Sequence, residues 1–278
     1  MGQQKRGHVA RQALKPPFAY YGGKTTLAPQ IAKLLPDHDH YVEPFAGSLA
    51  VLLAKEPSPM ETVNDLDGDL MTFWRVLRDH KDELEYACKH TPHSRDEYLA
   101  ACGNISDLPD VERARRVFVR LTQGRSHSMK PTGWWYRKAS VGHSPAEYVK
   151  SYTGRLSAAA KRLSAVSLES RDAIEMIAEY GTETSTCMYV DPPYLGTTRA
   201  SNYQEEMLED DLHTQLSDVL NNCKSAVVLS GYASPLYEEL YEGWHRYELK
   251  APTRLSGTAA PNEILWSNVP LGDQVSLF

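Results

Sequence analysis

Four cysteines are few for 278 residues, and Cys88, Cys102, Cys187 and Cys223 lie far apart with no Cys-x-x-Cys pair. That spacing suggests neither a zinc ribbon nor a disulfide framework, and it reads as a reduced, cytoplasmic protein. Long apolar runs are missing too, so no stretch approaches the length of a membrane span. The opening Met1-Gly2-Gln3-Gln4-Lys5-Arg6 has no apolar signal core and no Ser or Thr at the sixth position for myristoylation, and residues 1–17 are expected to form a polar tail. The glycine motifs of nucleotide binding are incomplete. Gly23-Lys24-Thr25 lacks the glycine a P-loop needs five positions before Gly23, where Phe18 stands. Around Gly47 there is one glycine where a hydride-transfer fingerprint has three. Net positive charge is absent as well, and a formal −6 argues against indiscriminate coating of nucleic acid. The histidines are scattered and suggest no metal site.

What is present is an ordinary globular composition, 41% hydrophobic and 24% charged, long enough for an α/β core with a second packed unit. Basic charge is concentrated in residues 111–138, where eight Lys or Arg face the single acid Glu112. That segment holds Arg113, Arg115, Arg116, Arg120, Gln123, Arg125 and Lys130, then Trp134-Trp135-Tyr136-Arg137-Lys138. Arginines for phosphates, polar groups for base edges and aromatics for stacking are what a DNA contact uses. The competing reading is a solvated helix face followed by a tryptophan-anchored loop.

Four motifs carry the chemistry, three of them at strand ends. The apolar run 186–190 reads as a buried parallel strand, and ligands of open α/β sheets sit beyond the carboxyl ends of such strands. There stands Asp191-Pro192-Pro193-Tyr194: a carboxylate acceptor, two prolines that fix the backbone, and an aromatic ring able to cover a flat substrate such as a nucleobase. A plain Pro-Pro turn is the competing reading. Upstream, Tyr20-Tyr21-Gly22-Gly23-Lys24 offers close backbone approach and a positive donor ahead of a helix at 27–35. Glu43-Pro44-Phe45-Ala46-Gly47-Ser48 leads a strand into a tight turn and a helix. Asp65 ends the next strand about 20 residues past that turn, where an acid commonly takes the ribose of an adenosine ligand. Asp67 and Asp69 compete for that role, since a helix with Leu66, Leu70, Phe73, Trp74 and Leu77 on one face starts there. Further strands are expected at 165–169 and 225–230, helices at 173–180 and 208–223, and an edge hairpin from 244–249 and 262–268.

In this order, with a basic insert between the Asn64-Asp65 and Asp191 motifs, the chain resembles the Dam-type, alpha-group N6-adenine DNA methyltransferases over residues 18–270. The resemblance implies a mostly parallel, seven-stranded Rossmann-like sheet with an edge hairpin, built from residues 18–80 and 165–278. A helical target-recognition insert would span 81–164. It implies S-adenosylmethionine as cofactor, with Tyr20, Gly22, Lys24 and the turn bearing Glu43, Phe45 and Gly47 around the methionine end. Asp191 would also lie at the cofactor, Asp65 on the ribose and Asp172 at the adenine edge. Many members carry a second glycine where this chain has Ser48 or Leu49. The target would be an adenine flipped out of double-stranded DNA. Asp191 and the Pro192 carbonyl would accept from its amino group, and Tyr194 would stack on the ring. The alternatives are a cytosine-N4 methyltransferase, a small-molecule or protein methyltransferase, and a non-catalytic DNA-binding relative. The setting implied is a bacterial or phage-infected cell.

Overall fold

The computed structural model describes residues 13–138, 142–194, 210–249 and 262–272. The chain opens with α1 (Ala28–Leu34), β1 (His40–Glu43), α2 (Ala50–Ala54), β2 (Met60–Asn64) and α3 (Gly68–Asp79). Five helices follow: α4 (Lys81–His90), α5 (Arg95–Ala101), α6 (Asp110–Gln123), α7 (Pro145–Thr153) and α8 (Leu156–Leu163). The β-α alternation then resumes with β3 (Ser167–Glu169), α9 (Ala173–Tyr180), β4 (Thr186–Val190), α10 (Asp210–Asn221), β5 (Ala226–Gly231) and α11 (Pro235–Leu240). Two last strands, β6 (His245–Leu249) and β7 (Glu263–Ser267), pair antiparallel.

The seven strands form one sheet in the order β3-β2-β1-β4-β5-β7-β6. The first five run parallel, and β7 enters antiparallel between β5 and β6. Strand alternation assigns successive side chains to opposite faces. Tyr41, Cys187, Tyr189 and Val228 join the core cluster of α1, α2, α3, α6 and α8, while Val42, Met188, Val190, Val227 and Leu229 join that of α9, α10 and α11. With both faces covered, every residue of β4 is buried, which is why its sequence is an unbroken apolar run instead of an alternating one.

Asp67 caps α3 by accepting from the Asp69 and Leu70 amides. The helix buries Leu70, Phe73, Trp74 and Leu77 as expected. Leu66 departs from that expectation: it precedes the cap and is 52% exposed, because the capping turn carries it off the helix face. Helices α6 and α8 of the 81–164 segment share one continuous core with α3, Val117, Phe118, Leu121 and Leu163 packing in the cluster that holds Phe73 and Trp74. No helix among the described residues is long and apolar enough to cross a membrane.

Candidate active site

The strand order reverses between β1 and β4, because their flanking connections lead to opposite halves of the sheet, and a crevice opens beyond their carboxyl ends. It holds a cavity of about 320 Å³ whose lining includes Tyr20, Gly22, Lys24, Glu43, Phe45, Gly47, Asp65, Asp172 and Asp191. Residues far apart in sequence, from Tyr20 to Asp191, are thus brought to one wall. Pro193 also lines the cavity, whereas Pro192 is buried and does not line it.

Each motif has a local reason for its shape. Gly47 adopts φ +46°, and a Cβ there would meet the Tyr20 ring at 3.3 Å, so only glycine lets the turn close against that ring. Its N–H donates to Asp65 Oδ2 at 2.9 Å, its carbonyl accepts from Trp74 Nε1 at 3.1 Å, and Asp65 Oδ1 accepts from the Asp67 amide. Asp65 therefore braces the glycine turn as well as facing the cavity. Asn64, fully buried, donates to the Pro44 and Arg171 carbonyls and accepts from the Arg171 amide, tying the loops after β1, β2 and β3 together. Leu49, just ahead of α2, takes φ +54°, a left-handed conformation uncommon for a residue with a side chain. Asp172 accepts from the Ile174 and Glu175 amides as the cap of α9.

Electrostatics dominate the floor. Lys24 Nζ contacts both Asp191 oxygens, at 2.8 and 2.9 Å, donates to the Gly22 carbonyl at 3.0 Å, and lies 3.7 Å from Glu263. Burial alone would lower its pKa, but the Asp191 and Glu263 carboxylates outweigh that and hold it above the ordinary lysine value. Glu43 is 2% exposed, and its Oε2 has no hydrogen-bond partner among the described residues. Burial, with the charge of Asp191 added, pushes its carboxyl up to about 8. Tyr194 donates its hydroxyl to Glu263, stands 3.1 Å from Asp191 Oδ1, and has Lys24 over its ring at 4.7 Å. Glu263 escapes sequence reasoning because no motif surrounds it. Only its place at the start of a strand antiparallel to β5 aims it at the site.

A buried carboxylate oxygen without a partner among the described residues, beside a glycine turn that a Cβ would crowd, suits a cationic ligand that comes close to the backbone. S-adenosylmethionine, with a sulfonium and an ammonium, fits these residues.

The basic segment divides in two. Four of its expected DNA contacts are engaged by groups of the protein itself. Arg113 pairs with Asp69 at 2.5 Å. Arg116 binds Glu112 and the Ala100 carbonyl, Arg120 is 8% exposed on the Ala101 and Gly103 carbonyls, and fully buried Gln123 bridges the Pro92 carbonyl and Ser94 amide. Arg115 likewise pairs with Glu112 and Glu97. These side chains fasten α6 to α3 and α5, because a helix between two others has its polar stripe at their seams. The remainder is different. Arg125 and Arg137 are exposed, Lys130 is half-buried, and Trp134 stacks on Tyr136 with ring centroids 5.6 Å apart. Arg95 lies 4.9 Å over Trp134 and 5.5 Å over Tyr136, and Arg125 lies 5.7 Å over Tyr136, giving a layered aromatic-guanidinium surface. Arg95, outside the basic run, left no signal in the sequence. The loop is tied to the cavity wall by the Tyr21 N–H, which donates to the His127 carbonyl at 2.9 Å.

The sequence model of the D12 class N6 adenine-specific DNA methyltransferases matches residues 20–255. The chain belongs to that family. A relative from Lactococcus lactis subsp. cremoris, Type II methyltransferase M1.LlaDCHI, is 26% identical over 267 residues, covering 88% of this chain and 90% of its own. Among solved structures, a methyltransferase from Geobacter sulfurreducens is 10% identical with a TM-score of 0.39, covering 90% of this chain and 80% of its own. A SAM-dependent methyltransferase from Agrobacterium tumefaciens is 11% identical with a TM-score of 0.35, covering 96% and 73%. The methyltransferase thus acts on adenine in DNA with S-adenosylmethionine as its methyl donor.

Proposed function

We propose that the cavity between β1 and β4 is where this methyltransferase joins its cofactor to a flipped adenine, with Asp191 as the residue that handles the target amine. The observation that carries this is the placement of Asp191 at the end of β4, fixed by buried Lys24 at the rim of an acidic cavity.

When bound, S-adenosylmethionine supplies an electrophilic methyl group on a sulfonium. The protein's task is alignment and charge. Glu43 and Asp191 present negative charge to the cationic end, Gly22 and Gly47 allow close backbone approach, and Lys24 is positioned for a carboxylate. Asp65, which braces the Gly47 turn, would hold the ribose, and Asp172 would lie at the adenine side. An exocyclic amino nitrogen is a poor nucleophile because its lone pair is delocalised into the ring. Asp191 and the Pro192 carbonyl accept its two N–H bonds, favouring a pyramidal nitrogen and stabilising the positive charge that develops. Pro193 stiffens the turn that aims them, and Tyr194 offers the aromatic surface for the base. Base flipping is required because the duplex hides the amine.

DNA is held by the outer part of the basic segment: Arg125, Lys130, Trp134 and Arg137, joined by Arg95 and Tyr136. Residues 81–164 would act as the recognition insert even though their helices share the catalytic core. Likeness to a Type II methyltransferase of a bacterium supports a place in restriction-modification and action in the cytoplasm. Asp191→Ala tests the assignment. Methyl transfer to DNA should be abolished while calorimetry still detects cofactor binding, and near-normal turnover would overturn it.

A further inference from the structure

Tyr194 Oη stands between two carboxylates. It donates to Glu263 Oε1 and lies 3.1 Å from Asp191 Oδ1, and Ser230 Oγ donates to the same Glu263 oxygen at 2.6 Å. Glu263 is 5% exposed and Lys24 6%. Two carboxylates therefore share one ammonium in a buried cluster, which leaves a net charge of −1 when both acids are ionised. A phenol has one hydrogen to give. Both carboxylates lie within its hydrogen-bond reach, so the one hydrogen serves Glu263 or Asp191 at a time, and both contacts are hydrogen bonds together only when one of the two acids carries a proton. The geometry is that of a chain waiting for one more proton, with Asp191 at the cavity end and Glu263 at the closed end.

N-methylation makes such a proton. We propose that Glu263 is a positioning residue which, through Tyr194, takes up the proton released from the target nitrogen. As the nitrogen lone pair forms the N–C bond, the S–C bond breaks and its electron pair stays on sulfur, leaving the nitrogen cationic with one surplus proton. That proton passes to Asp191, the Asp191 proton to Tyr194 Oη, and the phenolic hydrogen to Glu263 Oε1. Tyrosine ends as it began, Lys24 keeps its charge, and Glu263 becomes a neutral acid that returns the proton to solvent after product leaves. The cluster changes from −1 to neutral, which burial favours. The groups facing this path are Lys24 before α1, Glu43 on β1, Tyr189 and Asp191 on and after β4, Ser230 and Tyr232 at the end of β5, and Tyr194 itself. Burial raises the Glu263 carboxyl, with Lys24 opposing and Asp191 reinforcing, so it is a better proton acceptor than an exposed glutamate.

This rests on Asp191 serving the target amine, and the Asp191→Ala result tests that reading separately. The relay is tested by single-turnover methylation of DNA across pH with wild type, Glu263→Gln, Tyr194→Phe and the double variant. Both single substitutions are expected to slow methyl transfer by about 10²-fold, the lower end of what positioned proton transfer contributes. Cofactor and DNA affinities should persist. The double variant should be no slower than either single, because one chain is cut in two places. Wild type should lose rate as falling pH protonates Glu263, and Glu263→Gln should lack that fall. An unchanged rate or pH profile in Glu263→Gln, or losses that multiply in the double variant, would overturn the relay. Should Glu263→Gln unfold, the pH profile of Tyr194→Phe decides alone, and a profile like wild type's would overturn it equally.

Discussion

Glu43 should make cofactor binding a proton-releasing event. With its carboxyl at about 8 in the free protein, the group is about 90% protonated at pH 7. A cation seated beside Oε2 favours the ionised form. If the bound-state value falls below about 6, binding at pH 7 expels about 0.8 proton. The sign follows: protons compete with the cofactor, so affinity rises with pH from 6 to 8, approaching tenfold per unit, and levels off above 8. Calorimetry in two buffers of different ionisation enthalpy counts the protons directly. The cofactor's own amine also titrates, so the measured quantity is the difference between wild type and Glu43→Gln, which should be close to 0.8. Equal proton counts in the two proteins, or equal pH dependence of affinity, would refute the reasoning.

Gly47→Ala places a Cβ 3.3 Å from the Tyr20 ring at a left-handed φ, costing roughly 1–2 kcal/mol in conformation alone. Cofactor affinity should drop by about tenfold, read by the same calorimetry. Arg120→Ala should lower stability by about 2–4 kcal/mol, since the Ala101 and Gly103 carbonyls are deprived of a charged donor. Thermal unfolding reports it, and the salt slope of DNA binding by the folded variant should be unchanged. Arg125→Ala with Arg137→Ala should do the reverse, sparing stability while flattening the salt slope by about 0.9 for each phosphate no longer neutralised. A variant pair that binds DNA with wild-type salt dependence would move the interface elsewhere.

The parallel sheet was legible because burial on both faces leaves its strands as apolar runs, as in Thr186–Val190. The cavity wall was legible because strand ends place their next residues in one crevice, so Glu43, Asp65 and Asp191 could be found one motif at a time. The basic segment was only half legible. Arg113, Arg116 and Arg120 have the composition of phosphate contacts, but ion pairs with Asp69 and Glu112 and backbone carbonyls decide their direction, and those partners come from packing. Glu263 was hidden for a related reason, since only the antiparallel insertion of β7 brings it to Tyr194.

The most direct measurement is the product itself. DNA incubated with the protein and labelled S-adenosylmethionine, digested to nucleosides and analysed by mass spectrometry, should contain N6-methyladenosine as its deoxynucleoside, and the Asp191→Ala protein should yield none. Methylated deoxycytidine without methylated deoxyadenosine, or the same adenine product from Asp191→Ala, would contradict the account.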